Sequence, residues 1–456
     1  MAASLAGFED PPRLRTVARE WRWTPWLVIG VVVLRLVAVA GTRLYVYVDS
    51  GEYDRIDFTG HWRRPWATPY LYWLIPGGDH WIVLGQALVG AVCWLILALS
   101  AAAWFRLRAL RVAVAVTIGL LGCTTIVTNW DAAKLSESLG VSLTVLVVAA
   151  WLNFVRRSEV ATAVWVVVAT VPWLFVRQSL LTSAWLVVLA AAIGALIAWR
   201  RGKAWTILAG LAVALALLAG LASVSYSRNQ EILHENLTVI VANRIAPDPG
   251  RLAWFVAHGM PVPVGGARDV GSLEADPAFT HWVSHQGRST YVRFLLTHPW
   301  YTATAPLTDF AGVRRSSADP PEPSIAMLAP PDSYATARPV LPSIVEQVLF
   351  QPGDTGAVIF GLLVVLGWTI FRFARRSARW TVPLLLIGIS IASLYTGWHG
   401  ATPELGRLAL VGALGIRIGL LLQLAFLAEG ELIARRLPVL DPPVPETSGG
   451  DVVATS

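Results

Sequence analysis

The sequence predicts an all-α polytopic membrane protein with about ten transmembrane helices and two long outer loops that carry membrane-surface helices. Three observations predict this fold class. Hydrophobic residues make up 55% of the 456 residues, and charged residues only 14%, where a soluble domain carries about 25%. Apolar runs recur along the chain, each long enough to cross roughly 30 Å of hydrocarbon. Clusters of arginine lie beside these runs rather than within them. A water-soluble enzyme is therefore excluded.

The apolar runs between charge clusters are the candidate spans. They cover residues 25 to 46, 80 to 104, 110 to 128, 138 to 155, 160 to 176, 179 to 199, 204 to 226, 355 to 371, 380 to 397 and 405 to 428.

Basic clusters fall at alternate ends of these spans, which orients the whole chain. They are Arg13, Arg15, Arg19 and Arg22; Arg106, Arg108 and Arg111; Arg156 and Arg157; Arg200, Arg201 and Lys203; Arg372, Arg375, Arg376 and Arg379; and Arg435 and Arg436. By the positive-inside rule, all of these clusters and both termini are cytoplasmic. We therefore expect a multi-pass protein of the plasma membrane whose chemistry faces outward. The net charge of +7 reflects this topology and indicates no nucleic-acid partner.

This orientation predicts five parts of the chain. Residues 1 to 24 form a cytoplasmic N-terminal segment, and residues 25 to 226 form seven spans with a first outer loop at 47 to 79. Residues 227 to 354 form a large outer loop, long enough for a small domain with amphipathic pieces on the membrane. Residues 355 to 428 add three spans, and residues 429 to 456 form a mostly disordered cytoplasmic tail.

The first outer loop concentrates carboxylates at the membrane surface. Asp49, Glu52, Asp54 and Asp57 lie within nine residues. If this segment is helical, Asp49, Glu52 and Tyr53 share one face, so that carboxylates lie beside a hydroxyl. A solvated loop is the alternative interpretation.

Two further polar groups lie at the outer ends of spans. Asp131, Lys134 and Glu137 open the fourth span, and capping of that helix explains one of these groups but not all three. Arg177 occupies the tight outer turn between the fifth and sixth spans. An arginine on the outer side is a candidate anion ligand, and an interfacial snorkelling arginine is the alternative.

The last outer loop predicts an anion site. Thr402 and Pro403 are typical of a helix N-terminus. Arg407 lies one turn later, where its charge adds to the positive end of the helix dipole, and Glu404 would orient it. A simple Glu404 to Arg407 ion pair is the alternative.

Two arginines lie inside spans, and one histidine pair has ligand-like spacing. Arg35 and Arg417 fall near the middle of apolar runs that contain no Asp or Glu, so they should face the bundle interior or a wet cavity. His281 and His285 lie four residues apart, but no third ligand accompanies them, and we predict no metal site there.

Several short phrases of the sequence resemble the C-type glycosyltransferase superfamily (GT-C), which includes the protein O-mannosyltransferases and the aminoarabinose transferases. The long outer loops after the first and seventh spans resemble the GT-C layout. The phrases that carry the resemblance are Asp49-Ser-x-x-Tyr53, Arg64-Pro65-Trp-Ala-Thr-Pro69-Tyr, the segment from Asp131 to Ser138, Arg177-Gln-Ser-Leu, Leu295-Leu-Thr-His298-Pro299-Trp-Tyr301 and Glu404-x-x-Arg407. The paired acids of protein O-mannosyltransferases are not clearly reproduced.

The resemblance implies an enzyme that moves a sugar from a polyprenyl-phosphate donor to an outer glycan, lipid or protein by a single inverting displacement. It implies Asp49 as the general base, and Arg407 and Arg177 as ligands of the donor phosphate. The implied substrate-binding residues are Glu52, Tyr53, Asp54, Arg64, Asp131, Lys134, Glu137, His258, His298 and Glu404. No cofactor is firmly implied, although Asp131 and Glu137 could hold a divalent ion (Mg²⁺ or Mn²⁺), as related oligosaccharyltransferases do.

Two other functions fit the same sequence. A transporter or flippase for lipid-linked saccharides would also have many spans, but such proteins usually show an internal repeat with helices broken at mid-membrane. The chain shows no convincing repeat. A non-catalytic membrane scaffold is the other alternative, and loss of sugar transfer on substitution of Asp49 would separate the enzyme from both.

Overall fold

The computed structural model describes residues 21–202, 205–262, 269–312, 337–350, 367–368, 381–400 and 405–436. Four predicted features lie wholly or largely outside these residues: the N-terminal segment up to residue 20, the span at 355 to 371, Glu404 with the cap before it, and the tail from residue 437.

Helices are the regular secondary structure of the described chain, and no strand occurs in it. The helices are α1 Thr24–Val39, α2 Ala67–Leu74, α3 Asp79–Ala102, α4 Arg108–Leu121, α5 Thr125–Thr128, α6 Glu137–Arg157, α7 Val160–Leu174, α8 Leu180–Arg200, α9 Thr206–Ser227, α10 Gln230–Ile240, α11 Pro249–Ala257, α12 Val270–Glu274, α13 Pro277–Trp282, α14 Arg288–Thr297, α15 Pro299–Gly312, α16 Ser343–Leu349, α17 Thr381–Gly400 and α18 Leu405–Arg436. Short 3₁₀ turns cover Val48–Asp54 and Asn129–Ala132.

Six of the described helices are long and apolar enough to cross a bilayer, which makes the chain a multi-pass membrane protein. They are α3, α6, α8, α9, α17 and the part of α18 from Ala409 to Gly430. A seventh span results if α4 and Thr125–Ala132, which meet at an angle of 49°, are counted together. Two predicted spans form shorter apolar helices, α1 with 16 residues and α7 with 15. The helical, multi-pass part of the predicted fold class is confirmed, but the count of about ten spans is not.

Two predicted spans differ in shape from the expectation. The first helix ends at Val39 rather than near residue 46, and Gly41, with φ of +74°, turns the chain. The third span breaks near Gly122, whose carbonyl accepts a hydrogen bond of 2.6 Å from Nη1 of Arg35. Side-chain hydrogen bonding thus accompanies the break in the apolar helix.

The bundle has two ends of different chemistry. At one end, which we call the loop end, lie the segments before α3 and α6, the turn between α7 and α8, and the segments after α9 and α17. At the other end, which we call the basic end, lie the arginines between α3 and α4, after α6 and after α8. Between them, α1, α3, α4, α6 and α18 surround one hydrophobic core, and α6 to α9 surround a second.

The outer-loop domain, which we define as helices α10 to α15, has its own aromatic core. Phe255, Phe279, Trp282 and Phe294 are buried in it. The domain rests on the last turn of α17, where the hydroxyl of Tyr291 donates a hydrogen bond of 3.0 Å to a backbone carbonyl. A compact domain therefore covers part of the loop end.

Candidate functional site

The acidic first loop packs against the start of α6. The backbone N–H of Tyr45 donates to the carbonyl of Ala132 at 2.7 Å, and the N–H of Lys134 donates to the carbonyl of Tyr45 at 3.0 Å. The hydroxyl of Ser50 donates to the Lys134 carbonyl at 3.0 Å. Two segments 84 to 89 residues apart in sequence are thereby held side by side, because each satisfies backbone groups of the other.

The 3₁₀ turn at Val48–Asp54 aligns two carboxylates. Residues three apart eclipse in a 3₁₀ helix, so Asp49 and Glu52 lie on one face. Arg64 joins them: its Nη2 lies 2.7 Å from Oδ2 of Asp49, and its Nε lies 2.5 Å from Oε2 of Glu52. The Asp49 side chain remains 25% exposed. The carboxylate is therefore oriented by a guanidinium and still open to a substrate.

The charge of Arg64 is secured by its neighbours. Burial alone would lower the pKa of its guanidinium, but the facing Tyr53, Asp49 and Glu52 raise that pKa above its ordinary value. The guanidinium carbon also lies 5.3 Å from the ring centroid of Tyr53. Arg64 is thus a fixed cation at the centre of the first loop.

Tyr53 connects the first loop to a second ion pair. Its buried hydroxyl donates to the hydroxyl of Ser136 at 3.2 Å. The next residue, Glu137, is buried and lies 3.3 Å from Nη2 of Arg177. The turn that carries Arg177 is itself tied to the first loop, because the Ala67 N–H donates to the carbonyl of Phe175 at 3.1 Å.

These contacts form two ion-paired groups at the loop end, linked through Ser136, and we call them together the acid-arginine cluster. Its members are Asp49, Glu52, Tyr53, Arg64, Glu137 and Arg177. Beside the cluster, the hydroxyl of Tyr72 donates a hydrogen bond of 2.8 Å to the backbone carbonyl of Leu135. Burial, together with the nearby Tyr53 and Glu137, raises the pKa of Tyr72 well above its usual value. Tyr72 therefore stays protonated and serves as a hydrogen-bond donor.

Asp131 is buried inside the bundle, whereas Lys134, three residues later, contacts the first loop. Its side chain is fully buried, forms an ion pair with Arg35 and accepts a hydrogen bond of 2.6 Å from Ser138. Its backbone carbonyl accepts a bond of 3.0 Å from the side-chain amide of Gln86. Lys134 does not contact Asp131; its Nζ lies 2.5 Å from Oδ1 of Asp54 in the first loop.

The predicted site residues did not include Arg35 and Gln86, which bind the side chain and the backbone carbonyl of Asp131, respectively. Arg35 is the one sequence signal for this contact, because a charged side chain inside an apolar span needs a partner of opposite charge. Asp131 was placed in a loop, and only the break in the third span turns its side chain inward to meet that arginine.

Other predicted site residues lie apart from the acid-arginine cluster or cannot be placed. His258 and His298 lie in the outer-loop domain, with ring centroids 3.8 and 5.5 Å from that of Trp254. Arg407 lies in the first turn of α18, and its side chain is not among those described. Glu404 lies outside the described residues.

The described donor set does not fit a divalent ion. Asp49 and Glu52 contact Arg64, and Asp131 contacts Arg35. Across the part of the chain that the structure describes, no three His, Cys, Asp or Glu side chains form a group that could hold a metal ion. We therefore derive no step through a metal.

The chain was compared with known protein families, with curated proteins and with solved structures. No family model matches the chain, and no curated protein matches it. Among solved structures, the chain is similar to the archaeal oligosaccharyltransferase AglB from Archaeoglobus fulgidus, solved in complex with an inhibitory peptide and a dolichol-phosphate. The sequences are 12% identical and the TM-score is 0.44. The similarity covers 92% of this chain and 52% of the other, so the chain spans about half the length of that enzyme.

Proposed function

We propose that the chain is a membrane glycosyltransferase that moves a sugar from a polyprenyl-phosphate donor to an acceptor outside the plasma membrane. The acid-arginine cluster carries this proposal. It places a partly exposed carboxylate beside fixed cations at one end of an apolar bundle. The phosphate of a lipid-linked donor lies at the bilayer surface, where this end of the bundle emerges.

Asp49 is the proposed general base. A sugar or protein hydroxyl is a weak nucleophile until a carboxylate accepts its proton. The oxygen then attacks the anomeric carbon of the donor sugar as the bond to the phosphate oxygen breaks, which inverts that centre. Arg64 holds the Asp49 carboxylate in place through the contact at 2.7 Å, and Glu52 shares the same guanidinium.

The departing lipid phosphate needs positive charge where negative charge develops. Arg177 lies at the loop end and is 8% exposed, beside Glu137. In the proposal, it stabilises the phosphate together with Arg407, which would add the positive end of the α18 dipole. Glu404 orients Arg407 in the proposed mechanism. The proposed topology places both termini of the chain in the cytoplasm.

The remaining proposed residues bind sugar and acceptor. Tyr53, Asp54 and Lys134 lie at the surface of the first loop or directly behind it. The outer-loop domain, with His258 and His298, would cover the donor headgroup and exclude water. Asp131 supports the site from the interior through Arg35.

The test is sugar transfer by the purified chain in lipid nanodiscs, supplied in turn with polyprenyl-phosphate mannose, arabinose and glucose. We expect Asp49→Asn to reduce transfer by at least about a hundredfold, because general-base catalysis contributes roughly 10²–10⁴-fold. Asp79→Asn is the matched control, since the same change falls on an exposed acid at the end of the same loop.

The measurement also separates the enzyme from the alternatives. Donor binding in the Asp49→Asn variant should persist, because the base contributes to the reaction rather than to the anchoring of the phosphate. Undiminished transfer by Asp49→Asn would remove the proposed base. Absence of transfer from every donor by the unaltered chain would favour a flippase or a scaffold.

A further inference from the structure

A large cavity opens at the basic end of the bundle, between α6, α8 and α17. Its volume is about 1880 Å³, whereas pockets for drug-sized ligands typically hold roughly 300–1,000 Å³. No member of the acid-arginine cluster is among its described lining residues, although the lining reaches Trp173 and Ser183, which lie on either side of the turn of Arg177. The cavity opens where α6 ends at Arg157, and its size suits a large occupant.

The walls of the cavity are largely apolar, which suits hydrocarbon chains. Trp151, Val187, Leu385 and Ile389 line it from three helices. Most of the remaining lining inside the cavity is also apolar, with hydroxyl groups such as those of Ser183, Ser390 and Ser393 among it. Lipid chains from the surrounding bilayer are the available apolar filling.

The cavity follows its lining helices for much of their length. The lining runs along α6 from Arg156 at the rim to Thr144 inside, and along α8 from Ala198 to Ser183. At 1.5 Å per residue these stretches span about 18 Å and about 22 Å, within the roughly 30 Å of the hydrocarbon core. At the inner end, the indole N–H of Trp173 donates to the Thr144 hydroxyl at 2.8 Å.

The rim of the cavity is basic. Its arginines are Arg106, Arg111, Arg156 and Arg157, against a single acid, Glu159, in the described lining. Backbone carbonyls hold two of them at the rim: Nε of Arg111 donates to Phe105 at 2.6 Å, and Nη1 of Arg156 donates to Ala103 at 3.3 Å. Basic groups above an apolar slot complement an anionic headgroup above its acyl chains.

We propose that this cavity binds an anionic phospholipid of the leaflet at the basic end of the bundle. Its headgroup lies among the rim arginines, and its acyl chains fill the space between α6, α8 and α17. The positive-inside rule assigns this end to the cytoplasmic leaflet. The inference is independent of the proposed sugar transfer, because it uses no residue of the acid-arginine cluster.

The test is native mass spectrometry of the delipidated full chain, titrated separately with phosphatidylglycerol, phosphatidylcholine and a polyprenyl phosphate. We expect phosphatidylglycerol to bind more tightly than phosphatidylcholine. The double variant Arg106→Gln with Arg157→Gln should weaken phosphatidylglycerol binding about 25-fold, since each basic residue near an anionic lipid contributes about fivefold. Both arginines are exposed, so the fold should tolerate their loss.

Two further variants make the result specific. Arg200→Gln with Arg201→Gln removes the same charge at the same end from residues outside the lining, and should leave binding unchanged. Val187→Trp should displace the acyl chains and abolish retention of phosphatidylglycerol, with the helical circular dichroism spectrum unaltered. Equal losses in the two arginine pairs, or full binding by Val187→Trp, would overturn the proposal. Tighter binding of polyprenyl phosphate at this cavity would overturn it as well, by assigning the cavity to the donor lipid.

Discussion

At the scale of single residues, the ion pair of Arg35 and Asp131 is the most consequential contact. Both side chains are buried, at 1% and 0% exposed. Arg35 also donates to the Gly122 carbonyl, and Ser138 donates to Asp131. These bonds offset the cost of removing two charges from water. The pair joins α1, the break in the third span and the start of α6, which carries Glu137.

Removal of one partner should therefore be costly. We expect Arg35→Met to destabilise the protein by about 3–5 kcal/mol, because it leaves a buried carboxylate without its cation. Arg35→Met with Asp131→Leu should regain part of that loss. Thermal unfolding in nanodiscs measures both, with Arg43→Met at an exposed position as the control. Equal melting temperatures for Arg35→Met and Arg43→Met would contradict this assignment.

Arg64 should be sensitive even to a conservative change. Its planar fork reaches Asp49 and Glu52 together, whereas the ammonium of a lysine is a single point charge. We expect Arg64→Lys to lower transfer by about tenfold or more, since one hydrogen bond to a charged group contributes roughly 1.5–3 kcal/mol. The steady-state rate reports this loss.

The matched control for that change is Arg55→Lys, which alters an exposed arginine beside the Trp62 ring. A similar fall in rate for both variants would show that the effect is general to the first loop and not specific to the carboxylate contacts.

At the scale of elements, the first loop is held down by a close approach to the end of α9. Gly60 has a φ of +82°, and a Cβ at this position would lie 2.6 Å from the backbone oxygen of Ser225. Only glycine satisfies both conditions, because other residues disfavour positive φ by about 1–2 kcal/mol. The loop therefore reaches Arg228, which donates to the Thr59 carbonyl at 2.9 Å.

Gly60→Ala should lift the first loop from α9. We expect faster proteolysis and faster amide exchange across residues 55 to 64, together with weaker sugar transfer. Gly51→Ala is the control, because nothing lies within 4 Å of a Cβ there and its φ is not positive. Unchanged exchange in Gly60→Ala would show that the loop adjusts without this contact.

At the scale of the whole molecule, the outer-loop domain is docked on α17 by aromatic and polar contacts. The guanidinium of Arg244 lies 3.7 Å from the ring centroid of Trp398 and donates to the carbonyl of the same residue. A ring nitrogen of His399, Nε2, lies 3.0 Å from the Thr302 carbonyl. On the other side, Arg63 bridges the first loop to Glu235 of the domain. The domain thus contacts both the bundle and the acidic loop.

Loss of the Arg244 contact should loosen the domain without unfolding it. A desolvated cation-π contact contributes about 2 kcal/mol, so Arg244→Ala should speed amide exchange in residues 230 to 302 by roughly thirtyfold. Exchange in α3 and α6 should stay as it is. Arg288→Ala, an exposed change on the same domain, is the control, and equal effects of the two variants would exclude a docking role for Arg244.

Composition and apolar periodicity sufficed to predict the helical membrane class. Of the predicted spans, α3, α6, α8, α9 and α17 appear within a few residues of the expected bounds. Local spacing also placed Asp49 and Glu52 on one face, because an i,i+3 relation depends on neighbours in sequence alone. The alternating basic clusters predicted that the other polar groups would lie at the opposite end of the bundle.

Long-range contacts could not be obtained in that way. The partner of Arg35 lies 96 residues away, and Arg177 meets Glu137 only because α6, α7 and α8 pack together. Apolar composition therefore predicts the helical, multi-pass class and the bounds of five spans, since burial of apolar side chains in lipid depends on composition. Which charges meet follows from the packing of helices that are distant in sequence, and local patterns carry no information on that packing.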